Sequence, residues 1–402
     1  MKILHTSDWH LGHRLHDQSQ LAEQTLFLEW LETQFIENDF DILLIAGDIF
    51  DTGAPSAQSL RLYYDFLVSL TKTNCKHIVI AGGNHDSAGT LNAPKELLSA
   101  LSIKVIGKAT EQIADEVFKL SVNEEEVIIA AIPYLRDQDI RRAVAGESFD
   151  QITDRYKQAL VNHYQEAADY CDTIKTNNTP VIAMGHLFAV GGTISDSEQN
   201  IYVGSLGHIG GKDFPETFDF IALGHLHRPQ IVGGLNHIRY SGSPNILSFS
   251  EVGYDKRVIV LTTNQNKISN IEEIEIPQFR VVKSIKGKLL DTINSLSKVQ
   301  SNGYGLTPWV EVVIDNQTNV NIGATEINQA AEGLDLEVLK ITLKNKRNTE
   351  GIEKLIENTK NLKELSPIEV FEKKCTEQEF DLNENKAVFD AFSEALQIAQ
   401  NN

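Results

Sequence analysis

Five times before residue 230, a short apolar segment runs straight into a cluster of Asp, His or Asn. The stretches are KILHTSDWH, ILLIAGD, IVIAGGNHD, VIAMGH and FIALGHLH. They carry Asp8 and His10, then Asp48, then Asn84 and His85, then His186, and last His225 and His227. Segments this apolar predict strands buried on both faces. In an α/β sheet the carboxyl ends of parallel strands share one edge, and ligands bind there. The repeated placement therefore asks for a single rim that gathers all five clusters.

Strands are expected over Lys2–His5, Ile42–Ala46, His77–Ala81, Glu126–Ile132, Val181–Met184 and Phe220–Leu223. Between the first two, Phe27, Trp30, Leu31 and Phe35 fall at helical spacing. Ala57–Leu70 reads as another helix, whose Leu60, Tyr63, Tyr64 and Leu67 belong to core or to an interface. A β-rich stretch follows, through His237–Tyr240 and Val258–Leu261 to Ile271–Ile276. At about Pro277 the pattern resets into a small β-α-β-α-β unit: Phe279–Ile285, Leu289–Leu296, Trp309–Ile314, Ile322–Ala331 and Leu336–Leu343.

Lys344–Glu350 is polar and reads as linker. In the tail, Ser366 suits an N-cap, Pro367 the first helical position and Glu369 the capping box. Val388, Phe389, Phe392, Ala395, Leu396 and Ala399 then share one helical stripe, which either packs on its own protein or docks on a partner. The expected division is 1–276, 277–345, a linker over 346–365 and a helical extension over 366–402.

The residue types in the five clusters suit a pair of divalent cations. Asp8 and His10 can reach one ion from one loop, and Asp48 is the natural bridge between two. Asn84 offers a neutral carbonyl oxygen, and His186, His225 and His227 offer imidazole nitrogens. Glycines before Asp48, Asn84, His186 and His225 would let the backbone turn off each strand. Mixed nitrogen and oxygen donors without thiolate suit manganese, iron or zinc, with an octahedral site favouring manganese. Two ions about 3.5–4 Å apart are the arrangement used for phosphoester hydrolysis. A lone GD or GH means little, and a single strand histidine is more often a satisfied core residue. All five clusters in this order are hard to obtain by chance. His5, His77, His163, His208 and His237 lack such partners and read as structural.

The net charge is −20, from 36 basic and 56 acidic residues. A protein that grips nucleic-acid phosphates unaided usually shows a basic face. If DNA is the substrate, bound cations or a partner must supply positive charge. Arg14, Arg136, Arg141 and Arg142 lie in loops within reach of a phosphate backbone, though each reads equally well as a solvated surface residue. Cys75, Cys171 and Cys375 are far apart, which argues against a disulfide framework or a thiolate zinc site and fits a reducing compartment. No apolar run is long enough to span a bilayer, and no signal-peptide pattern is visible. A cytoplasmic protein with no membrane partner is expected.

DxH, GD, GNHD, GH and GHxH, in that order, resemble the signature of the calcineurin-like metallophosphoesterases. TSDWHLG, AGDIFDTGAPS, GGNHDS, FDFIALGHLHRPQ and RYSGSPNILSFSE are similar to the bacterial nuclease subunits of that family, and SPIEVFEKK resembles their C-terminal extension. The resemblance is dense through residues 1–260 and weaker in the small unit that follows. It implies an α/β fold: a β-sandwich flanked by helices, a small α/β capping domain that shapes a DNA channel, and C-terminal helices that grip the coiled coil of an ATPase partner. It also implies ATP-dependent exonuclease and endonuclease action on ends and hairpins of double-stranded DNA in repair and recombination, by a homodimer within a heterotetramer.

Carried over by residue, the resemblance places one ion on Asp8, His10, Asp48 and His227. The other falls on Asp48, Asn84, His186 and His225, with manganese the expected metal. His85 would face the phosphate and help expel the leaving oxygen. Archaeal and eukaryotic relatives carry a histidine after GD where this chain has Asp51, and bacterial members tolerate an acid there.

Two other readings compete. A phosphoesterase for small diesters such as cyclic nucleotides suits the acidic charge, but has little need of the residues after 277. A scaffold that has lost catalysis would show gaps among the ligand positions or at His85, and none is missing.

Overall fold

The computed structural model describes residues 1–140, 149–176, 178–190, 209–315 and 320–344. Arg141, Arg142, His208, Cys375 and the expected linker and helical extension from residue 346 lie outside the described residues.

Two six-stranded sheets carry the site. The first has the order Lys267–Glu275, Arg257–Asn264, Lys2–Thr6, Ile42–Ala46, His77–Ala81, Ile103–Ile106. Its last four strands run parallel. The second has the order Gln230–Val232, Leu235–Tyr240, Phe220–Gly224, Val181–His186, Glu125–Ala131, Val117–Val122, and its middle four strands run parallel.

Strand alternation sends one set of side chains between the sheets and the other set outward. Ile3, Leu44, Val79 and Ala81 of the first sheet pack with Ile129, Ile182, Met184 and Phe220 of the second. The outward set of the first sheet, including Leu43, Ile45 and Ile80, packs with Phe27, Leu31 and Phe35 of helix Leu21–Asn38 and Tyr63 and Leu67 of helix Ala57–Leu70. On the second sheet, Ile128, Ala130 and Ala183 pack with Leu160, Tyr164 and Ala168 of helix Phe149–Ile174. Helices on both outer faces explain why these strands read as unbroken apolar runs. The helix at Ala57 starts cleanly because Ser56 Oγ accepts the Ser59 amide at 3.1 Å.

After Pro277 comes a three-stranded sheet in the order Val282–Gly287, Trp309–Asp315, Glu337–Lys344, with helices Leu289–Leu296 and Val320–Ala331. Leu296, Val310, Val312, Ile314 and Ile327 form its core. Its first strand begins at Val282 and not at Phe279, because Phe279 packs into the core of the first large sheet. Arg280 turns back to pair with the buried Glu23 and lies 3.9 Å over the Trp309 ring. Leu15, Ile246, Phe249, Val282 and Trp309 form a small cluster at this seam.

Met1–Ile314 and Asn319–Leu343 form one compact unit. A second unit, Asp315–Thr318 with Lys344–Asn402, falls almost wholly outside the described residues. Among the described residues no helix is long and apolar enough to cross a membrane.

Candidate metal centre

The carboxyl ends of Lys2–Thr6, Ile42–Ala46 and His77–Ala81 meet those of Val181–His186 and Phe220–Gly224. The five clusters therefore come together from two sheets, where the strand pattern suggested one. Hydrogen bonds stitch the two edges. His186 Nδ1 donates to the Ala46 carbonyl at 2.9 Å, and the His225 amide donates to Asp8 Oδ1 at 2.9 Å.

The convergence strains the backbone. Asp8, His10 and Asp48 sit in the left-handed region, with φ of +53°, +46° and +49°, and His225 has φ +103°. Such conformations cost on the order of 1–3 kcal/mol each and collect at functional sites. The neighbouring glycines mostly serve a purpose other than the expected turn. Only Gly47 has a positive φ, +87°. At Gly83 and Gly224 the requirement is space: a Cβ would lie 2.1 Å from Asp48 Oδ1 and 1.9 Å from the Ala46 carbonyl oxygen.

Asp48 is central. Its Oδ2 lies 3.6 Å from His10 Nε2 and 3.2 Å from His186 Nε2. Asp8, His10 and His227 offer donor atoms within 4.8 Å of one another, as do Asp8, Asp48 and His186. Asn84 Oδ1 accepts from His186 Nε2 at 2.9 Å and His225 Nδ1 at 3.0 Å. All seven expected ligand positions thus face one buried rim.

Burial opposes charge throughout. It holds the His225 pKa down to about 3, helped by His186, and that of His10 down to about 4 against the pull of Asp51. Both rings are neutral at pH 7, the form that binds a cation. Burial also opposes ionisation of Asp48, but His186 and His10 beside it hold its carboxyl well below the usual range. The same pair works in reverse on His186: despite burial, Asp48 raises its pKa to about 9. Burial lifts Asp8 to about 6.

His10 Nε2 is buried and makes no hydrogen bond among the described residues. Such an orphan costs about 1–3 kcal/mol. With the neutral His10 and His225 rings, two aspartates and an amide oxygen gathered there, and His186 free to exchange its Nε2 proton for a cation, the rim fits divalent cations.

A surrounding layer fixes these groups. Asp86 accepts the amides of Ile49, Phe50 and Gly83 at 3.2, 3.0 and 2.8 Å. Ser7 Oγ donates to Asp8 Oδ2 at 2.5 Å. Asp51 Oδ1 lies 2.7 Å from His13 Nδ1 and 3.3 Å from His10 Nδ1, and its carbonyl accepts His85 Nδ1 at 2.8 Å. His227 Nδ1 lies 3.1 Å from Glu251 Oε1. The sequence pattern does not mark His13 or Glu251 as site residues. Glu251 stands in the stretch RYSGSPNILSFSE, but nothing local shows it as a partner of a histidine 24 positions away.

The arginines divide. Arg136 donates to the Asp86 carbonyl at 2.9 Å, at the edge of the rim. Arg14 is exposed and turns to the Asp17 carbonyl in its own hairpin. His163, which reads as structural, binds the fully buried Glu116 at 2.8 Å.

A family model described as calcineurin-like phosphoesterase matches residues 1–229, and one described as type 5 capsule protein repressor C-terminal domain matches residues 278–379. The SbcD subunit of nuclease SbcCD from Escherichia coli (strain K12) is 33% identical over 399 residues, covering 98% of each chain. The protein of that name from Bacillus subtilis (strain 168) is 31% identical over 320 residues, 78% of this chain and 79% of its own. The one from Rhodobacter capsulatus is 36% identical over 273 residues, 65% and 66% of the two chains.

Proposed function

The chain belongs to the calcineurin-like phosphoesterases, and on that premise we propose that it is the nuclease subunit of an SbcCD-type complex. It is a metal-dependent phosphodiesterase that hydrolyses double-stranded DNA, with an SbcC-type ATPase as partner. The observation that carries this reading is the position of Asp48, between His10 at 3.6 Å and His186 at 3.2 Å. A shared carboxylate with imidazoles on both sides is what a two-cation site requires.

In this reading one cation rests on Asp8, His10, Asp48 and His227, and the other on Asp48, Asn84, His186 and His225. Donors of nitrogen and oxygen alone admit manganese, iron or zinc, and an octahedral arrangement makes manganese the preferred metal. Bound there, a pair of cations would supply Lewis acidity towards the scissile phosphate and lower the pKa of a water. The chain's own groups do the rest. The Asp48 carboxylate accepts the His85 amide at 2.8 Å, and the Asp51 carbonyl accepts a hydrogen bond from His85 Nδ1 at 2.8 Å. His85 is thereby turned so that Nε2 is the nitrogen presented to the departing deoxyribose oxygen, where it holds or delivers a proton. Of the expected DNA-contacting arginines that are described, Arg136, anchored on the Asp86 carbonyl, is the candidate for a DNA phosphate, since Arg14 turns to its own hairpin.

The module after residue 277 acts as the cap of the DNA channel, and residues 366–402 as the docking segment for the ATPase coiled coil. A separate family model over residues 278–379 supports an added module in sequence, although its residues up to 314 and from 319 to 343 pack in one compact unit with the large sheets. The net charge of −20 leaves much of the DNA affinity to the partner. Assembly as a homodimer within a heterotetramer, in the cytoplasm, completes the reading. The small-diester alternative is disfavoured by the match to a nuclease subunit along 98% of the chain.

The test is manganese-dependent cleavage of linear and hairpin duplex DNA beside a chromogenic diester, with and without the ATPase and ATP. Cleavage of DNA that the ATPase and ATP stimulate supports the reading. Turnover of the small diester with none of DNA under any of these conditions sinks it.

A further inference from the structure

Glu251 is fully buried behind His227. Its Oε1 accepts from His227 Nδ1 at 3.1 Å. Its Oε2 accepts from Lys256 Nζ at 2.7 Å and from the Leu247 amide at 3.2 Å. Lys256, also buried, donates to Ser243 Oγ at 2.8 Å and to the His227 carbonyl at 3.3 Å. One carboxylate–ammonium pair thus grips both the ring and the backbone of His227.

The arrangement has a chemical consequence. A carboxylate at Nδ1 keeps the proton there and makes Nε2 the nitrogen that carries the lone pair. Among the described residues His227 falls in the close donor group with Asp8 and His10, and not in the one that Asp8 makes with Asp48 and His186. A buried ion pair is costly to desolvate, and apolar residues of the same size often serve stability as well. Stability alone therefore gives a weak account of this pair, whereas fixing a ligand gives a specific one. His225, on the other side, is held instead by Asn84 at its ring and Asp8 at its amide.

Building on the reading of the rim as a two-cation centre, we propose that Glu251, held by Lys256, is a positioning residue. It sets the tautomer and orientation of His227 for the cation on the Asp8–His10 side and leaves the other cation alone.

The experiment is manganese binding to the full-length chain, followed by electron paramagnetic resonance and calorimetry. Glu251→Gln keeps an acceptor oxygen. The pair Glu251→Leu with Lys256→Met removes both charges and strands neither. The wild type is expected to bind two ions. The double variant should lose about 10–100-fold in affinity at one site, with the second site unchanged and Glu251→Gln in between. Unchanged affinity at both sites in a folded variant overturns the proposal. Equal loss at both sites also overturns it, since that is the signature of a merely structural role. A wild type that binds no manganese overturns the two-cation reading itself, and this proposal with it. Should circular dichroism show the double variant unfolded, Glu251→Gln decides by the same criteria, with a drop of about threefold or more at one site in support.

Discussion

The buried Asp86 carboxylate accepts the Phe50 amide at 3.0 Å. With the Ile49 and Gly83 amides it ties the loop that carries Asp48 to the loop that carries Asn84. Asp86→Ala strands three buried donors. We expect a loss of about 2–4 kcal/mol and, since the proposed two-cation reading shares Asp48 between the sites, weaker manganese binding at both. Asp86→Asn keeps one acceptor and should lose less. Urea unfolding with calorimetry checks this, and wild-type stability in Asp86→Ala would show that the clasp does not hold the two loops.

His85 is held at its ring by the Asp51 carbonyl and at its backbone amide by the Asp48 carboxylate. Its removal takes away a proton donor and none of the seven donor positions. His85→Ala should keep both manganese ions and lose roughly 10²–10⁴-fold in turnover. Metal content and single-turnover cleavage, measured on the same preparation, separate these effects. Full activity with intact metal would exclude His85 from the reaction.

The same physical signals decide what is legible in the sequence. Ile42–Ala46 and His77–Ala81 stand out because both faces of each strand are buried. Ile103–Ile106 and Val117–Val122 do not, because they are the edge strands of their sheets. There Lys104, or Lys119 and Ser121, break the apolar run, and nothing in a linear pattern says which strand will be last. The rim residues are legible because each follows its strand directly. Their arrival from two sheets is not, since it depends on long-range pairing such as His186 with Ala46. Glu251 and His13 escape a linear reading because their meaning lies wholly in what they touch.

His5 offers a stability test outside the rim. It is fully buried near Phe220, with ring centroids 6.4 Å apart. Burial holds its pKa down to about 3, against the pull of the Leu223 backbone. The folded chain keeps the ring neutral, while the unfolded chain protonates it near pH 6.5. Stability is therefore lost as the pH falls from about 6.5 towards 3. Between pH 8 and 5 the loss from this one group is about 2 kcal/mol. His5→Leu removes the proton linkage. Urea unfolding at the two pH values should show a smaller acid-side loss in the variant, and equal losses in both proteins would mean that His5 is protonated in the fold.

The Arg280–Glu23 pair makes a sharper prediction, because its two halves are not equivalent. Arg280 also lies over Trp309 and donates to the Thr307 carbonyl at 2.6 Å, so it has contacts to lose besides the charge. Glu23 is 3% exposed, and its Oε2 makes no hydrogen bond among the described residues. Arg280→Ala leaves that carboxylate buried and unpaired, at a cost of about 3–5 kcal/mol. Glu23→Leu with Arg280→Met removes both charges while filling the space, and should recover most of the loss. If the pair's role is to seat the strand that begins at Val282, Arg280→Ala should also speed protease cleavage near Pro277, and the double variant should restore resistance. A double variant as unstable as Arg280→Ala would show that the ion pair, and not the packing around it, holds the seam.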